Sequence, residues 1–240
     1  MGGDGSLRGG LAGRRVLVTG ASSGIGLATS LRLRDAGAVV GVLSNDRAQL
    51  DRMGEGYHRY TADVRDREAV RGAVEEFHRA AGGIDGLVTC AGVSRWCPLA
   101  SMSEEFWDEI FDINVKGTML ACQAAAPLMA AGGGGVIVTV SSMSGLKSGM
   151  PNASAYASSQ WAVVGLSRNL HLELKGQGIR VGCVCPGSTR TAIHAAAATP
   201  RQDEMLDPDD VAAAILFMLA APANGHVQLL ALPAGFEEWR

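Results

Sequence analysis

Gly20, Gly24 and Gly26 follow the apolar run Val16, Leu17 and Val18, and together they set up an anion-binding turn. The run, with its two β-branched residues, reads as a buried strand. The helix beyond extends to about Ala36, with Gly37 as its stop. Residues without a Cβ let the backbone turn tightly and let a pyrophosphate approach the exposed N–H groups at the helix start. The spacing is Gly-x-x-x-Gly-x-Gly, not the tighter Gly-x-Gly-x-x-Gly fingerprint, but the mechanism is the same. Glycine-rich strand-to-helix turns also serve purely structural ends, so the turn alone leaves ligand binding open.

Other side chains narrow the chemistry by exclusion. Cys90, Cys97, Cys122, Cys183 and Cys185 are odd in number and include no Cys-x-x-Cys pair. Neither a disulfide framework nor a zinc site is expected, and a reduced, cytoplasmic setting is. Cys183 and Cys185 are two apart on an expected strand, so they share a face and read as packing residues. His58, His78, His171, His194 and His226 share no metal-ligand spacing, and no metal is expected. A net charge of −3 and a pI near 6.0 give no electrostatic reason to expect nucleic acid or an anionic membrane. The longest apolar run, 211–223, is too short to span a bilayer.

The elements around the turn follow from hydrophobic patterning. With 240 residues, 47% of them hydrophobic, the chain has ample core-forming material for one domain. Residues 1–12 are glycine-rich, lack the apolar core of a signal peptide and read as a flexible tail before a single domain at 13–240. After the first strand, further strands are expected at 39–43, 57–62, 87–89, 136–140, 180–185 and 227–232. Helical spacing covers 66–81, 101–131, 154–175 and 208–221, with Ser101-x-x-Glu104 as a capping box for the second of these. This alternation, with almost uninterrupted apolar strands, argues for an α/β fold. It would be a doubly wound, Rossmann-type parallel sheet of about seven strands with helices on both faces.

From about Gly13 to Leu232 the chain resembles the short-chain dehydrogenase/reductase family, with matching motifs in the family's order. Thr19-Gly20-Ala21-Ser22-Ser23-Gly24-Ile25-Gly26 resembles its cofactor turn, and Asp63-Val64 the acidic pair that holds the adenine. Thr89-Cys90-Ala91-Gly92 stands where the family usually has Asn-Asn-Ala-Gly, so only Ala91 and Gly92 match. Asn114 resembles the helix asparagine of the family's proton relay, and Ser142 its catalytic serine. Tyr156 resembles the catalytic tyrosine, and Pro186-Gly187 with Thr189 and Thr191 the loop embracing the nicotinamide. The resemblance implies an NAD(P)-dependent oxidoreductase that interconverts a small alcohol and ketone by hydride transfer, with Tyr156 as acid/base. It also implies a homodimer or homotetramer built through the helices at 101–131 and 154–175.

One position departs from the pattern. The family signature Tyr-x-x-x-Lys reads Tyr156-Ala157-Ser158-Ser159-Gln160 here. A free tyrosine, with pKa near 10, is only about one part in a thousand ionised at neutral pH. A residue four places on lies one turn away on the same helix face, where a lysine would favour the phenolate. An opposite charge typically moves a pKa by 1–3 units, so its loss costs roughly 1.4–4 kcal/mol, or about 10–10³-fold in rate. Gln160 can still hydrogen-bond a ribose, but it supplies no charge. Two alternatives therefore stand beside the redox reaction: a non-redox dehydration, isomerisation or cyclisation, and a catalytically inactive cofactor-binding subunit. Lys147, between Ser142 and Tyr156, is the nearest basic residue in sequence that could stand in.

Cofactor choice is read from the turn Ser44-Asn45-Asp46-Arg47. Ser44 takes the place where the family's NAD users carry Asp, Asp46 would repel a 2′-phosphate and Arg47 would attract one. The balance leans to NAD over NADP. Ser22 and Ser23 join the cofactor-binding set, with Ser23 not basic. The short, alanine-rich segment 191–206, with His194 within it, is expected to leave an open, rather apolar substrate site.

Overall fold

The computed structural model describes residues 10–147, 150–191, 202–222 and 224–236. Its strands are β1 (Arg15–Thr19), β2 (Val39–Ser44), β3 (Tyr57–Thr61), β4 (Gly86–Thr89), β5 (Gly135–Val140), β6 (Ile179–Pro186) and β7 (Leu229–Leu232). They form one sheet in the order β3-β2-β1-β4-β5-β6-β7, and every neighbouring pair is parallel. The order reverses between β1 and β4, and a crevice opens beyond the strand ends at such a switch point.

Side chains alternate across the sheet, so each strand serves two cores. Val16, Val18, Val40, Val42, Val88 and Val138 face one side. There they meet Leu33 of α1 (Gly24–Asp35) and Val211 and Ile215 of α7 (Pro208–Leu219). Leu17, Leu43, Leu87 and Ile137 face the other side. They meet Val74 and Phe77 of α3 (Arg67–Ala81) and Leu120 and Met129 of α5 (Gly117–Ala131). The near-continuous apolar strands are a direct consequence: a strand covered on both faces has no solvent side to make polar.

Several expectations need correction. The helix expected over 101–131 is broken. Leu99–Ser101 forms a short 3₁₀ turn, α4 runs Glu104–Phe111, and a wide π turn at Asp112–Lys116 leads into α5. Ser103, not Ser101, caps α4, its side chain accepting from the Phe106 N–H at 3.2 Å. A short α2, Arg47–Asp51, follows β2 where only a polar turn was expected. Asp46 caps it by accepting from the Gln49 N–H at 3.0 Å. Leu11, assigned to the tail, is fully buried in the core beneath β1 and β2. The long helix α6, Ser154–Leu174, lies where the spacing placed it. The lid expectation, His194 included, falls mostly on 192–201, outside the described residues.

Candidate active site

The turn between β1 and α1 is built around close backbone approach. Gly20 has φ +63°, and a Cβ there would lie 2.6 Å from the Ala91 nitrogen. A Cβ on Gly26 would lie 2.2 Å from the Gly20 carbonyl oxygen, so the helix start and the turn touch directly. The loop after β4 is fixed to the end of β1 by Cys90 N–H donating to Thr19 O at 3.2 Å and Ala91 N–H to Thr19 Oγ1 at 3.3 Å. Ser23 precedes α1 without a side-chain capping bond, and the first turn of α1 holds no acidic residue. The positive end of the helix therefore faces the crevice uncancelled.

That crevice, about 360 Å³, is lined by Gly20, Ser22, Ser23, Gly24, Ile25 and Gly26, by Ser44 and Asn45 at the end of β2, and by Asp63 and Val64 after β3. Cys90, Ala91, Gly92 and Thr191, also expected from the sequence, line it as well. Apolar surroundings push the Cys90 thiol up to about 12, which keeps it neutral. Ser44 shares a 2.8 Å hydroxyl–hydroxyl hydrogen bond with Ser22 and accepts from the Asp46 N–H at 3.1 Å. Arg47 points elsewhere: it lines a separate hollow beside α3 and pairs with Asp51 at 3.7 Å.

Four charged residues at the crevice were not foreseen, or were foreseen differently. Both oxygens of Asp63 are held by Arg65, whose Nη2 is 2.6 Å away, and that side-chain bond draws the carboxyl below its usual range. Arg65, Arg95 and Glu109 also line the crevice, with Arg95 paired to Glu109 at 2.5 Å. No spacing rule links positions 95 and 109, because only the fold brings the loop after β4 against α4.

Tyr156, Gln160, Pro186, Gly187 and Thr189 do not line this crevice. They lie at the neighbouring ends of α6 and β6. Thr189 is buried and donates to the Gly187 carbonyl at 2.9 Å, so its hydroxyl is spent within the loop. Ser142, just beyond β5, accepts from the Ser144 N–H at 3.1 Å. Tyr156 is half-buried, and burial pushes its phenol above the ordinary value. The Ser142 and Ser94 side chains pull it partly back, while Cys185 raises it. Lys147 is not among the described groups that act on the phenol.

Asn114 sits in the π turn and is 3% exposed. Its side chain bonds Val93 and Ser159, and its carbonyl accepts from the Thr118 hydroxyl at 2.8 Å. Ser159 and Ser94 escaped the sequence reading. For Ser159 a signal existed, since it lies three residues after Tyr156 on the same helix face. Gln160 is 6% exposed, and its Oε1 is buried with no hydrogen-bond partner among the described residues. Its main-chain carbonyl is used, accepting from the Ser141 hydroxyl at 3.0 Å.

The residues present fit a nicotinamide dinucleotide. The glycine cradle admits backbone-close phosphates, the crevice sits at the topological switch point, and Gln160 carries an orphaned acceptor one turn from Tyr156. Comparison with known proteins agrees. The family model described as short chain dehydrogenase matches residues 14–202. The chain is 34% identical over 243 residues to the 3-oxoacyl-[acyl-carrier-protein] reductase FabG of Thermotoga maritima, covering 94% of this chain and 98% of that one. It is 34% identical over 233 residues to glycine betaine reductase ATRR of Emericella nidulans; there the match takes 90% of this chain but spans only 18% of the relative's length. Among solved structures, that of gox2181 superposes with a TM-score of 0.89 at 30% identity, covering 96% of this chain and 98% of that one. The chain therefore belongs to the short-chain dehydrogenase/reductase family of NAD(P)-dependent oxidoreductases.

Proposed function

We propose that this enzyme interconverts a small alcohol and a ketone, using NAD in preference to NADP, with Tyr156 as the acid/base. The observation that carries the reading is the glycine cradle of Gly20, Gly24 and Gly26 lining a crevice at the switch point of the sheet, with Ser142 among the groups that act on the Tyr156 phenol. A bound nicotinamide nucleotide supplies the hydride acceptor and donor. Gly20 to Gly26 and the start of α1 hold its pyrophosphate, Ser44 and Asn45 its adenosine ribose, and Asp63, Val64, Cys90, Ala91 and Gly92 its adenine side. Pro186, Gly187 and Thr191 flank the nicotinamide, with Thr189 bracing their loop. Gln160 offers its orphaned amide oxygen to a ribose hydroxyl. Ser142 donates to the substrate oxygen, and Tyr156 gives or takes the proton there. The lean to NAD rests on Arg47 pairing with Asp51 at a separate hollow, which leaves uncharged Ser44 and Asn45 at the end of β2, and on Arg65 and Arg95 of the crevice each being paired with a carboxylate.

The test has two arms. NADH should quench the protein fluorescence more tightly than NADPH, and Tyr156→Phe should retain that binding while losing turnover at 340 nm with ketone and alcohol panels. Absence of binding by either nucleotide refutes the reading. The uncharged Gln160 favours two other readings, a non-redox reaction on the same pocket and an inactive cofactor-binding subunit; nucleotide bound without turnover on any carbonyl would favour them. We also infer that copies associate as a homodimer or homotetramer through α4, α5 and α6. Trp161 and Leu172 of α6 are 49% and 60% exposed, and a stable monomer in sedimentation would overturn this. All five thiols are free, which suits a reducing, cytoplasmic setting, and no helix among the described residues is long and apolar enough to cross a membrane.

A further inference from the structure

Another hollow, of about 680 Å³, opens where β1, β4, β5 and β6 begin, the full length of the strands away from the crevice. Gly132 to Gly135 and Gly178 form one wall, and a Cβ on Gly133 would meet nothing within 4 Å. Arg14, Lys175 and Arg180 bring three positive charges to the lining, and Asp85 is the one acid among the lining residues. Asp85 is already engaged. Its Oδ2 accepts from Arg15 Nε at 2.8 Å and its Oδ1 from Arg15 Nη2 at 2.5 Å. Arg180 is held by Nη1 alone, which donates to the carbonyls of Ala221, Pro222 and Gly225 at 3.1, 2.6 and 2.5 Å. The side chains of Arg14 and Lys175 have no hydrogen bond or ion pair among the described residues. Burial lowers the Arg180 pKa and the Arg14 charge lowers it further, so two guanidinium groups of one lining repel each other.

We propose that this hollow is a second binding site, for a small molecule carrying two or more linked phosphate groups, held by Arg14, Lys175 and Arg180. The charge balance sets the class. Helices α5 and α6 end at this rim, at Ala131 and Leu174, and their carbonyl ends contribute about half a negative charge each. Three cations against those two ends leave an excess of about two positive charges, on a chain whose net charge is −3. Guanidinium forks match phosphate oxygens in pairs, and the Lys175 ammonium acts as a point charge. Linked phosphates can engage separate cations at once, the second contact forming from an already tethered position. Backbone takes no part in the recognition. The N–H groups of Gly132 to Gly135 and of Gly178 all donate to carbonyls of the fold, so the glycines supply space and the side chains supply the donors. No aromatic side chain is among the lining residues, so the phosphates themselves are what is recognised. Binding here is independent of the reaction proposed above, because the cofactor crevice lies at the opposite ends of the strands.

The probe is inorganic pyrophosphate, titrated by calorimetry into the full chain at low salt and neutral pH. It should bind at least about tenfold more tightly than orthophosphate. Arg14→Gln combined with Lys175→Gln should weaken pyrophosphate about 10- to 100-fold and leave NADH affinity unchanged, since neither residue lines the crevice. Arg67→Gln combined with Arg71→Gln on α3 makes the same change in net charge away from the hollow and should keep pyrophosphate within about twofold of wild type, as should Lys175→Arg alone. Without ligand, the urea midpoint of the Arg14/Lys175 double variant should be no lower than that of wild type, because the two side chains it removes have no partner. Pyrophosphate should raise the midpoint of wild type and not of that variant. The glycine cradle at Gly20 also suits a pyrophosphate, so affinity that survives in the Arg14/Lys175 variant, or that NADH competes away, places the ion there and overturns the second site. Absence of binding at low salt, or an equal loss in the α3 variant, overturns it as well.

Discussion

Replacing Gln160 by lysine restores the one charge that the site lacks, and the size of the response can be worked from the helix. Tyr156 and Gln160 are four residues apart on α6, so their side chains start about 5–6 Å apart on one face. A unit charge at about 6 Å in an effective dielectric near 20 is worth roughly 2.8 kcal/mol, or about two pK units on the phenol. Position 160 is 6% exposed, so desolvation of the ammonium opposes this and leaves a net effect of about one to two units. Burial has raised the phenol above its free value, so the lysine lowers it back toward neutrality. The assay is the pH dependence of kcat/KM for alcohol oxidation, whose rising limb follows formation of the phenolate. In Gln160→Lys that limb should move about one to two units toward lower pH, giving about 10- to 100-fold more activity at pH 7, and adding Tyr156→Phe should abolish the gain. A folded, NADH-binding Gln160→Lys protein whose limb has not moved would refute the assignment of Tyr156 as acid/base.

Three further perturbations test the frame around the site. Gly20→Ala forces an L residue to φ +63° and drives a Cβ into the Ala91 backbone. It should cost about 2–5 kcal/mol in urea unfolding and abolish NADH binding. Phe77→Ala empties the centre of the core between α3, α5 and the sheet, and should lower the unfolding free energy by about 3–5 kcal/mol without changing the nucleotide affinity of the folded protein. His171 and His226 stack at 3.9 Å, and burial, followed by Lys175, lowers the His171 pKa, while burial, His171 and Arg180 lower that of His226. The unfolded chain then binds more protons in the window between the depressed values and about 6.5. Stability is therefore full above that window and falls as pH drops through it. His171→Phe should flatten that dependence in urea midpoints measured from pH 7.5 to 5.

What the sequence disclosed and what it withheld divide along a physical line. Val16 to Val18, Val39 to Leu43 and Val136 to Val140 announce themselves because strands covered on both faces must be apolar throughout. The cradle was legible because no other residue tolerates the approach of Ala91 to Gly20. Helix breaks were hidden. Ser101 and Ser103 both precede acidic residues, and nothing local distinguishes the cap that forms from the one that does not. The π turn at Asn114 is equally silent, being held by side-chain bonds to Val93 and Ser159, 21 and 45 residues away in sequence. The Arg95–Glu109 pair joins the site through a contact that only the folded loop after β4 creates. Leu11 was misplaced for the opposite reason: its glycine-rich surroundings look flexible, yet its side chain closes the core beneath β1.

The state of Gln160 ties these strands together. A buried carbonyl oxygen without a partner costs about 1–3 kcal/mol, and packing alone would be served better by an apolar residue of the same length. Tyr156 is likewise held in a costly arrangement, its phenol pushed up by burial while Asn114, through Ser159, fixes the backbone that carries it. Polar groups buried short of partners make physical sense where a ligand completes the hydrogen bonding. A ribose hydroxyl at Gln160 and a substrate oxygen between Ser142 and Tyr156 would do so. Gln160→Leu separates the two demands: it removes the orphaned acceptor, so it should stabilise the free protein or leave it unchanged in urea unfolding while weakening NADH about tenfold. Equal loss of stability and affinity would mean that the amide serves the fold and not the cofactor.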